Sequence, residues 1–369
     1  MHRRELLRLL SMATLAGVSR CAGQSAASSA AALSQSAPRA EFVPDVEFVL
    51  TAAPDEVPLL PGAPTRVWRF TGRLLKGPTD TLEILPGSYL GPVIRLRRGQ
   101  RVRVRFANQL GEESIVHWHG LDVPEHADGH PRLAIGDGAE YVYEFEVTNR
   151  AGTYCYHPHP HMRTGPQIYR GLAGVLLVSD DDERAVGLPS GEAELVCVLQ
   201  DRRFDARNQL VYQGGGMMAM MNGFLGDRVL ASGLPQPVRE VDAGWHRVRL
   251  LNGSNARIYK LAWSREQVMT VIGGDGGLLE RPIDRRTLTL APGQRADVLL
   301  DLRGVRAGTD VHLDSLAFPA ADAGGVGMMM GNAAPVPNGA PLRVMTLRVR
   351  ARAGPAFHLP ERLPAFDAS

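Results

Sequence analysis

Three histidines alternate with two prolines in one short stretch, which reads His157, Pro158, His159, Pro160 and His161. Proline breaks a helix and cannot donate a backbone hydrogen bond, so this stretch is predicted to be extended and to form an edge or bulged strand. In extended backbone, residues two apart point to the same face at a spacing of about 7 Å. Three imidazoles on one face would crowd one another if charged. The same arrangement is well suited to binding a metal ion.

A second histidine pair lies upstream in the sequence His117-Trp118-His119-Gly120. The pair has the same alternate spacing and stands at the end of a strand-like run. A lone histidine is most often a core or surface residue without a special role. Two groups with the same spacing instead favour a metal site built from two neighbouring strands.

Short alternating runs broken by glycine, proline and asparagine make up most of the remaining chain. Gln100–Phe106 and Tyr141–Val147 alternate apolar and polar residues, as half-buried strands do. The 40 glycines and 26 prolines favour many turns and little long helix. We therefore predict an all-β protein with one sandwich over residues 41–182 and a second over residues 190–352. The acidic stretch Asp180–Glu192 is predicted to link them.

The composition adds few constraints on partners. At 369 residues the chain is long enough for two or three domains. A net charge of +2 gives no indication of a nucleic-acid partner, and we predict none. After the leader only Cys155 and Cys197 remain. We favour two small buried apolar residues, while a bridge between them in an oxidising compartment stays open.

The first forty residues resemble an export signal rather than part of the fold. Arg3 and Arg4 precede an apolar run, Leu9–Val18, that is too short to span a bilayer. A paired arginine in this position is typical of twin-arginine signals, so residues 1–40 are predicted to be an export signal and flexible leader. Cys21 leaves open a lipid anchor, although Arg20 does not fit the small-residue pattern. We expect a periplasmic or extracellular protein.

Two long motifs carry a resemblance to a known family. The sequences VHWHGLDVPEHADG at 116–129 and GTYCYHPHPHMRTGPQIYRGLAG at 152–174 resemble the first two copper motifs of the multicopper oxidases, in the bacterial bilirubin oxidase and laccase-like branch. The resemblance continues through LAPGQRADVLLD at 290–301. It implies tandem cupredoxin-like Greek-key β-sandwiches, of which this sequence would hold two. It also implies one-electron oxidation of phenols, pigments or metal ions at a type 1 copper, with dioxygen reduced to water at a trinuclear cluster.

The resemblance assigns roles to individual residues. It makes His117 a ligand of the type 2 copper, and it makes His119, His157 and His159 ligands of the type 3 pair. Asp128 matches the acidic residue that helps to deliver protons to oxygen. The resemblance gives no ligand role to His161, His126 or His130.

The sequence departs from the family pattern in two places. Cys155 stands where the family usually has tryptophan. The 369 residues contain neither the HPxHxH nor the HCHxxxH motif that carries the other four cluster histidines and the type 1 ligands, and His246, His312 and His358 are isolated. Residues 353–369 resemble a linker into a third domain, which a separate chain could supply. We therefore expect an incomplete or split multicopper oxidase, inactive alone, with half of the type 2 and type 3 site and no type 1 site. The alternative is a copper-binding cupredoxin protein or remnant without oxidase turnover.

Overall fold

Strands form nearly all the regular structure in the part of the chain that the structure describes. The computed structural model describes residues 37–212, 223–319 and 336–364. The first nine strands are β1 (Val46–Val57), β2 (Thr65–Lys76), β3 (Leu82–Glu83), β4 (Val93–Arg97), β5 (Arg101–Asn108), β6 (Val116–His119), β7 (Glu140–Glu146), β8 (Gly152–Pro158) and β9 (Gly174–Ser179). The all-β prediction is confirmed.

The second half of the chain supplies twelve further strands among the described residues. They are β10 (Glu194–Arg202), β11 (Arg228–Ala231), β12 (Leu234–Pro235), β13 (Val238–Ala243), β14 (Trp245–Asn252), β15 (Tyr259–Trp263), β16 (Met269–Gly274), β17 (Gly277–Arg285), β18 (Leu288–Leu290), β19 (Arg295–Asp301), β20 (Asp310–Ser315) and β21 (Leu342–Ala353). Together the two sets form two tandem β-sandwiches, as predicted.

The first sandwich pairs a four-stranded sheet, ordered β2-β1-β5-β7, with a five-stranded sheet, ordered β3-β4-β9-β8-β6. Its core is built from alternate residues of both sheets. In β5, for example, Val102, Val104 and Phe106 are fully buried in that core. Trp118 of β6 and Tyr156 of β8 are also fully buried there. Since side chains alternate along a strand, the neighbours of Trp118 and Tyr156 must face the opposite side of the sheet.

The second sandwich pairs a seven-stranded sheet, ordered β12-β11-β10-β14-β19-β16-β17, with a five-stranded sheet, ordered β13-β21-β20-β15-β18. A separate apolar cluster joins it to the first. Cys155 and Val175 of the first sandwich pack there with Val198, Leu230 and Leu251 of the second. The face of β8 that carries Cys155 is therefore covered, at that point, by the second sandwich.

Two short α-helices occur in the described residues, α1 (Thr164–Arg170) and α2 (Asp181–Val186), besides five single-turn 3-10 helices. Helix α2 lies within the acidic stretch that was predicted as a simple linker. Asp180 caps it by accepting from the amide of Glu183, and the Glu183 side chain is buried against Arg247. The acidic stretch is thus part of the packed structure, while the predicted domain limits at 182 and 190 stay a prediction. None of the helices in the described ranges is long and apolar enough to cross a membrane.

Residues 354–364, which follow β21, make contacts with the rest of the protein, and the linker predicted for residues 353–369 stays a prediction. Leu363 is buried in a small cluster with Ala151 and Leu299, and its amide donates to the carbonyl of Glu280. The Arg150 guanidinium donates to the carbonyl of Pro364. Most of the predicted leader and residues 365–369 fall outside the described residues. The glycine- and methionine-rich sequences Gly214–Met221 and Gly324–Gly331, whose composition predicts loops, also fall outside them.

The histidine stretch was predicted to form an edge or bulged strand, whereas β8 lies between two other strands of its sheet and pairs with both without a shift of register. β8 pairs with β9 over Gly152–Tyr156 and with β6 as far as Pro158, so β6 is the edge strand of the sheet. Pro158 is tolerated because the ladder with β9 has already ended at Tyr156. The histidine pair of β6 is the one on the edge.

Candidate metal centre

The register between β6 and β8 brings the two histidine motifs together. The strands are antiparallel, with His117 opposite His157 and His119 opposite Cys155. Because Trp118 and Tyr156 point into the core, the histidines of both strands project from the other face of the sheet. Directly opposite side chains in an antiparallel pair lie about 5 Å apart, which is close enough to share a metal ion.

The ring nitrogens of three histidines converge. Each of His117, His119 and His157 places one nitrogen within 4.8 Å of the others, and no other group of three histidine, cysteine or acidic residues in the described ranges does so. The ring of His159 lies 5.3 Å from that of His117 and 6.2 Å from that of His157, measured between centroids. His159 therefore borders the trio. His161 is exposed and lies outside it.

Hydrogen bonds to backbone carbonyls orient two of the rings. His117 Nδ1 donates to the carbonyl of Asp128 at 2.8 Å, and His157 Nδ1 donates to the carbonyl of Pro158 at 2.9 Å. With Nδ1 protonated, the lone pair of each neutral ring is on Nε2. His119 is turned the other way, since its Nδ1 lies 3.3 Å from Nε2 of His157. One shared proton or one metal ion would satisfy both of these nitrogens.

His119 and His157 are uncharged at neutral pH. Burial, helped by the nearby positive charge of Arg295, lowers the pKa of His119 to about 4. Burial also lowers the pKa of His157 to about 3, against a smaller opposing effect of its hydrogen bond to Pro158. Burial and the neighbouring His117 lower the pKa of His159. Neutral imidazole is the form that binds transition metals, so protons do not compete at neutral pH.

Asp128 lies beside His117 at the rim of the cluster. Its carboxylate Oδ1 is 3.2 Å from His117 Nδ1, and its side chain is 42% exposed. The loop approaches β6 very closely at Gly129, where φ is +80° and a Cβ atom would lie 1.9 Å from the Val116 carbonyl oxygen. Only glycine fits there. The close contact holds Asp128 against the strand that carries His117. His126 and His130 of the same loop lie outside the trio.

The second sandwich closes the back of the cluster, which the sequence interpretation missed. Gly293, with φ of +81°, would place a Cβ atom 3.2 Å from Cε1 of His119. Arg295 donates through Nε to the carbonyl of Thr153 on β8, and its guanidinium faces the ring of Tyr154. Both residues fall within the motif at 290–301, but only the fold shows that this turn meets the histidines.

The two cysteines are free and buried, so no bridge joins them. Burial raises the pKa of Cys155 to about 12 and that of Cys197 to about 12. Both are therefore neutral thiols at physiological pH. Cys155 shares the histidine face of β8, yet it is not part of the converging group. Neither cysteine belongs to a converging group of three metal-binding side chains in the described residues.

The chemistry of the four histidine side chains fits copper. Imidazole nitrogen suits copper, and four histidines from two neighbouring strands form such a donor group. His159 Nδ1 is buried and has no hydrogen-bond partner among the described residues. A buried polar atom without a partner is costly unless something outside the protein satisfies the group. The residues present fit copper ions.

Comparison with known proteins agrees with this chemistry. The family model for multicopper oxidases matches residues 70–183. The multicopper oxidase mco of Staphylococcus aureus is 37% identical over 216 residues, which is 58% of this chain and 47% of that relative. The cell division protein FtsP of Escherichia coli (strain K12) is 35% identical over 237 residues, which is 64% of this chain and 49% of that relative. The chain spans about half the length of these curated relatives.

A solved structure covers more of the chain. The McoA multicopper oxidase of Aquifex aeolicus is 34% identical, with a TM-score of 0.74, over 89% of this chain and 67% of that chain. This chain belongs to the multicopper oxidase family.

A second solved structure supports the same family assignment. A bacterial laccase-like multicopper oxidase, CueO from Ochrobactrum sp., is 28% identical with a TM-score of 0.72, over 90% of this chain and 66% of that chain. The tandem cupredoxin-like architecture predicted from the resemblance is therefore confirmed. Copper is the cofactor that family membership implies, whereas the individual ligands rest on the geometry of the histidines.

Proposed function

We propose that this multicopper oxidase binds copper through His117, His119, His157 and His159 and takes part in one-electron oxidation coupled to dioxygen reduction. The observation that carries the proposal is the convergence of ring nitrogens from β6 and β8, three of them within 4.8 Å. The reductant would be a phenol, a pigment or a metal ion, as in the family.

The residues of this chain have distinct tasks in that reaction. The two carbonyls of Asp128 and Pro158 fix the donor atoms of His117 and His157 before copper arrives. When bound, copper supplies the one-electron redox chemistry that imidazoles lack. Reducing dioxygen to water consumes protons, and Asp128 is placed to pass them inward because its carboxylate is both exposed and 3.2 Å from His117.

The four histidines are half of the set that the resemblance to the family implies. We infer that the other four, together with a type 1 site where electrons enter, belong to a third cupredoxin domain. That domain could follow in the same polypeptide or be a separate partner. The position of β6 supports this inference. β6 is the edge strand of its sheet, and its two histidines are half-buried rather than enclosed.

A second candidate is copper binding without oxidase turnover. It is favoured by the two free cysteines Cys155 and Cys197, neither of which lies in a converging group of metal-binding side chains, so the described residues show no thiolate site for a blue copper. Some relatives are named for cell division rather than oxidation. This candidate predicts copper uptake with no oxygen consumption under any condition.

One experiment separates the two candidates. The purified chain is loaded with copper and assayed for a thiolate-to-copper absorption band and for oxygen uptake with a phenolic dye. The chain alone is expected to show neither. Adding a third cupredoxin domain, fused after Ser369 or supplied separately, is expected to restore both. Copper uptake without any restored activity would favour the second candidate, and no copper uptake would reject both.

We also propose that the protein is exported folded by the twin-arginine route. The support is Arg3 and Arg4 before the short apolar run Leu9–Val18. Replacing both arginines with lysine is expected to retain the protein inside the cell. Unchanged fractionation into the periplasm or medium would reject this route.

A further inference from the structure

A buried charge pair of the second sandwich lies directly behind the histidine cluster. Arg295 is only 5% exposed, and its Nη1 contacts Asp275 Oδ1 at 2.9 Å. The Asp275 side chain is 48% exposed, so water screens the carboxylate more than the guanidinium. The pair therefore leaves a net positive character on its inner side, toward the first sandwich.

Arg295 contacts both strands that carry the histidines. Its Nε donates to the carbonyl of Thr153 on β8 at 3.1 Å. A Cβ atom on Gly120, the residue that follows His119, would lie 2.4 Å from Arg295 Nη2. The guanidinium is therefore packed against the end of β6, where only a glycine leaves room.

The guanidinium is also held firmly in place. It donates to the carbonyls of Gly293 at 3.0 Å and Asp275 at 2.9 Å, in addition to that of Thr153. These acceptors come from three separate segments, so the charge cannot move away without losing several hydrogen bonds. The same turn brings Gly293 against His119. Position and charge at the back of His119 are thus set by one element of the second sandwich.

We propose that Arg295, offset by Asp275, is a positioning residue that sets the relative affinity of the histidine cluster for Cu(I) and Cu(II). The inference rests on the proposed copper function. Cu(II) carries one more positive charge than Cu(I), so a fixed buried cation disfavours Cu(II) more strongly. Arg295 therefore favours the reduced ion, while Asp275 moderates that preference.

The size of the effect follows from Coulomb's law. Two unit charges about 10 Å apart interact by about 1.7 kcal/mol at an effective dielectric constant of about 20, which is a factor of about 15–20 in affinity. Arg295→Met is expected to lower the Cu(I)-to-Cu(II) affinity ratio by about that factor. Asp275→Asn is expected to shift the ratio in the opposite direction. Asparagine keeps an oxygen that can accept from the Arg295 amide, so the turn is preserved.

The test measures Cu(I) and Cu(II) affinities of the full chain by competition with chelators of known affinity. The variants are Arg295→Met, Arg295→Lys and Asp275→Asn. Arg295→Lys keeps the charge and is expected to retain the ratio within about twofold. Arg348→Met is the matched control, because it removes one exposed positive charge paired with Asp310 on the five-stranded sheet of the second sandwich. This control is expected to leave the ratio unchanged.

Opposite shifts in Arg295→Met and Asp275→Asn, with rescue by Arg295→Lys, would support the proposal. Shifts in the same direction, or an unchanged ratio in Asp275→Asn, would overturn it. Asp275 is half-exposed, so its variant gives a decisive result even if Arg295→Met fails to fold. If the unmodified chain binds no copper, the proposed function fails and this inference with it. If the unmodified chain binds copper and the ratio does not respond, this inference alone fails.

Discussion

Two polar clusters lie along strand β8. In one the buried side chains form ion pairs, and in the other the histidine rings lack a counter-charge. Near its start, β8 presents Thr153 to an ionic cluster of the second sandwich, in which Asp297 contacts Arg247 at 2.7 Å and Arg249 at 2.6 Å. Arg249 also contacts Glu194 at 2.7 Å. Near its end, β8 places His157 beside the other histidine rings of the cluster, and these rings supply no negative charge to pair with it.

The pKa values show the difference. Burial alone would raise the pKa of Asp297, but Arg249 and Arg247 outweigh burial and hold that pKa below its usual range. Among the histidines nothing outweighs burial, so the pKa values of His119 and His157 fall. The carboxylates of the ionic cluster are paired with arginines within the protein. In the histidine cluster, His119 and His157 are neutral and ring nitrogens of three histidines converge, which is the arrangement expected of metal ligands rather than of a structural network.

The largest expected effect comes from breaking the ionic cluster. Arg249→Met leaves Asp297 and Glu194 with less compensation in the interior, and we expect it to destabilise the fold by about 3–5 kcal/mol. His157→Ala, four residues from Thr153 on the same strand, is the contrasting variant. It removes a costly buried polar ring, so the metal-free protein should lose far less stability. Urea unfolding of both variants measures the loss in free energy of unfolding. An equal loss in the two variants would contradict the difference proposed between the clusters.

Copper affinity, in contrast to stability, should depend mainly on the histidine cluster. Replacing His157 and His159 together by alanine is expected to weaken copper binding by at least about 100-fold, since loss of even an outer partner costs about 10–100-fold. His161→Ala is the matched control from the same stretch and should bind copper normally. Competition with a chelator measures both. Unchanged binding in the double variant would place the ligands elsewhere.

The pH dependence should also separate the clusters. The pKa values of His119 and His157 are about 4 and about 3 in the folded chain. In the unfolded chain they are about 6.5. The unfolded chain therefore binds more protons between pH 6.5 and 4, so metal-free stability falls as the pH falls through that window. His119→Ala should flatten this slope. The ionic cluster acts at lower pH, because the depressed pKa of Asp297 adds stability that is lost only on further acidification.

The smallest expected effect is on Asp128. Its carbonyl, not its carboxylate, accepts the 2.8 Å hydrogen bond from His117, and Asp128→Asn keeps that carbonyl. Copper affinity should fall by about tenfold or less. In a chain completed by a third domain, the rate of oxygen reduction should fall more than the affinity, because asparagine cannot carry a proton. A loss of copper binding beyond about 100-fold would make Asp128 a ligand instead.

Local spacing explains why so much of the site could be predicted. Alternation along β6 and β8 places His117, His119 and His157 on one face from sequence alone, and the antiparallel register then brings them together. The alternating run at Gln100–Phe106 likewise matched β5. Such patterns depend only on neighbouring residues.

Contacts between distant residues explain what could not be predicted. Glu183 lies in an acidic run that is solvated by default, and its burial depends on Arg247, 64 residues away. Arg295 reaches β8 from 142 residues away. The position of β8 inside its sheet also depends on β9 and β6, which the prolines do not reveal. No local pattern encodes these partners.

The long reach of Arg295 has a consequence for the order in which the protein is made. Thr153 and Arg295 are separated by 142 residues. At a synthesis rate of about 5–20 residues per second, the histidine strands are therefore made about 7–30 s before the turn of the second sandwich that contacts them. During that interval the first sandwich can collapse with its histidines accessible from the side that the second sandwich later covers. Copper present during synthesis would therefore meet a different, more open cluster from the one that copper meets after folding is complete.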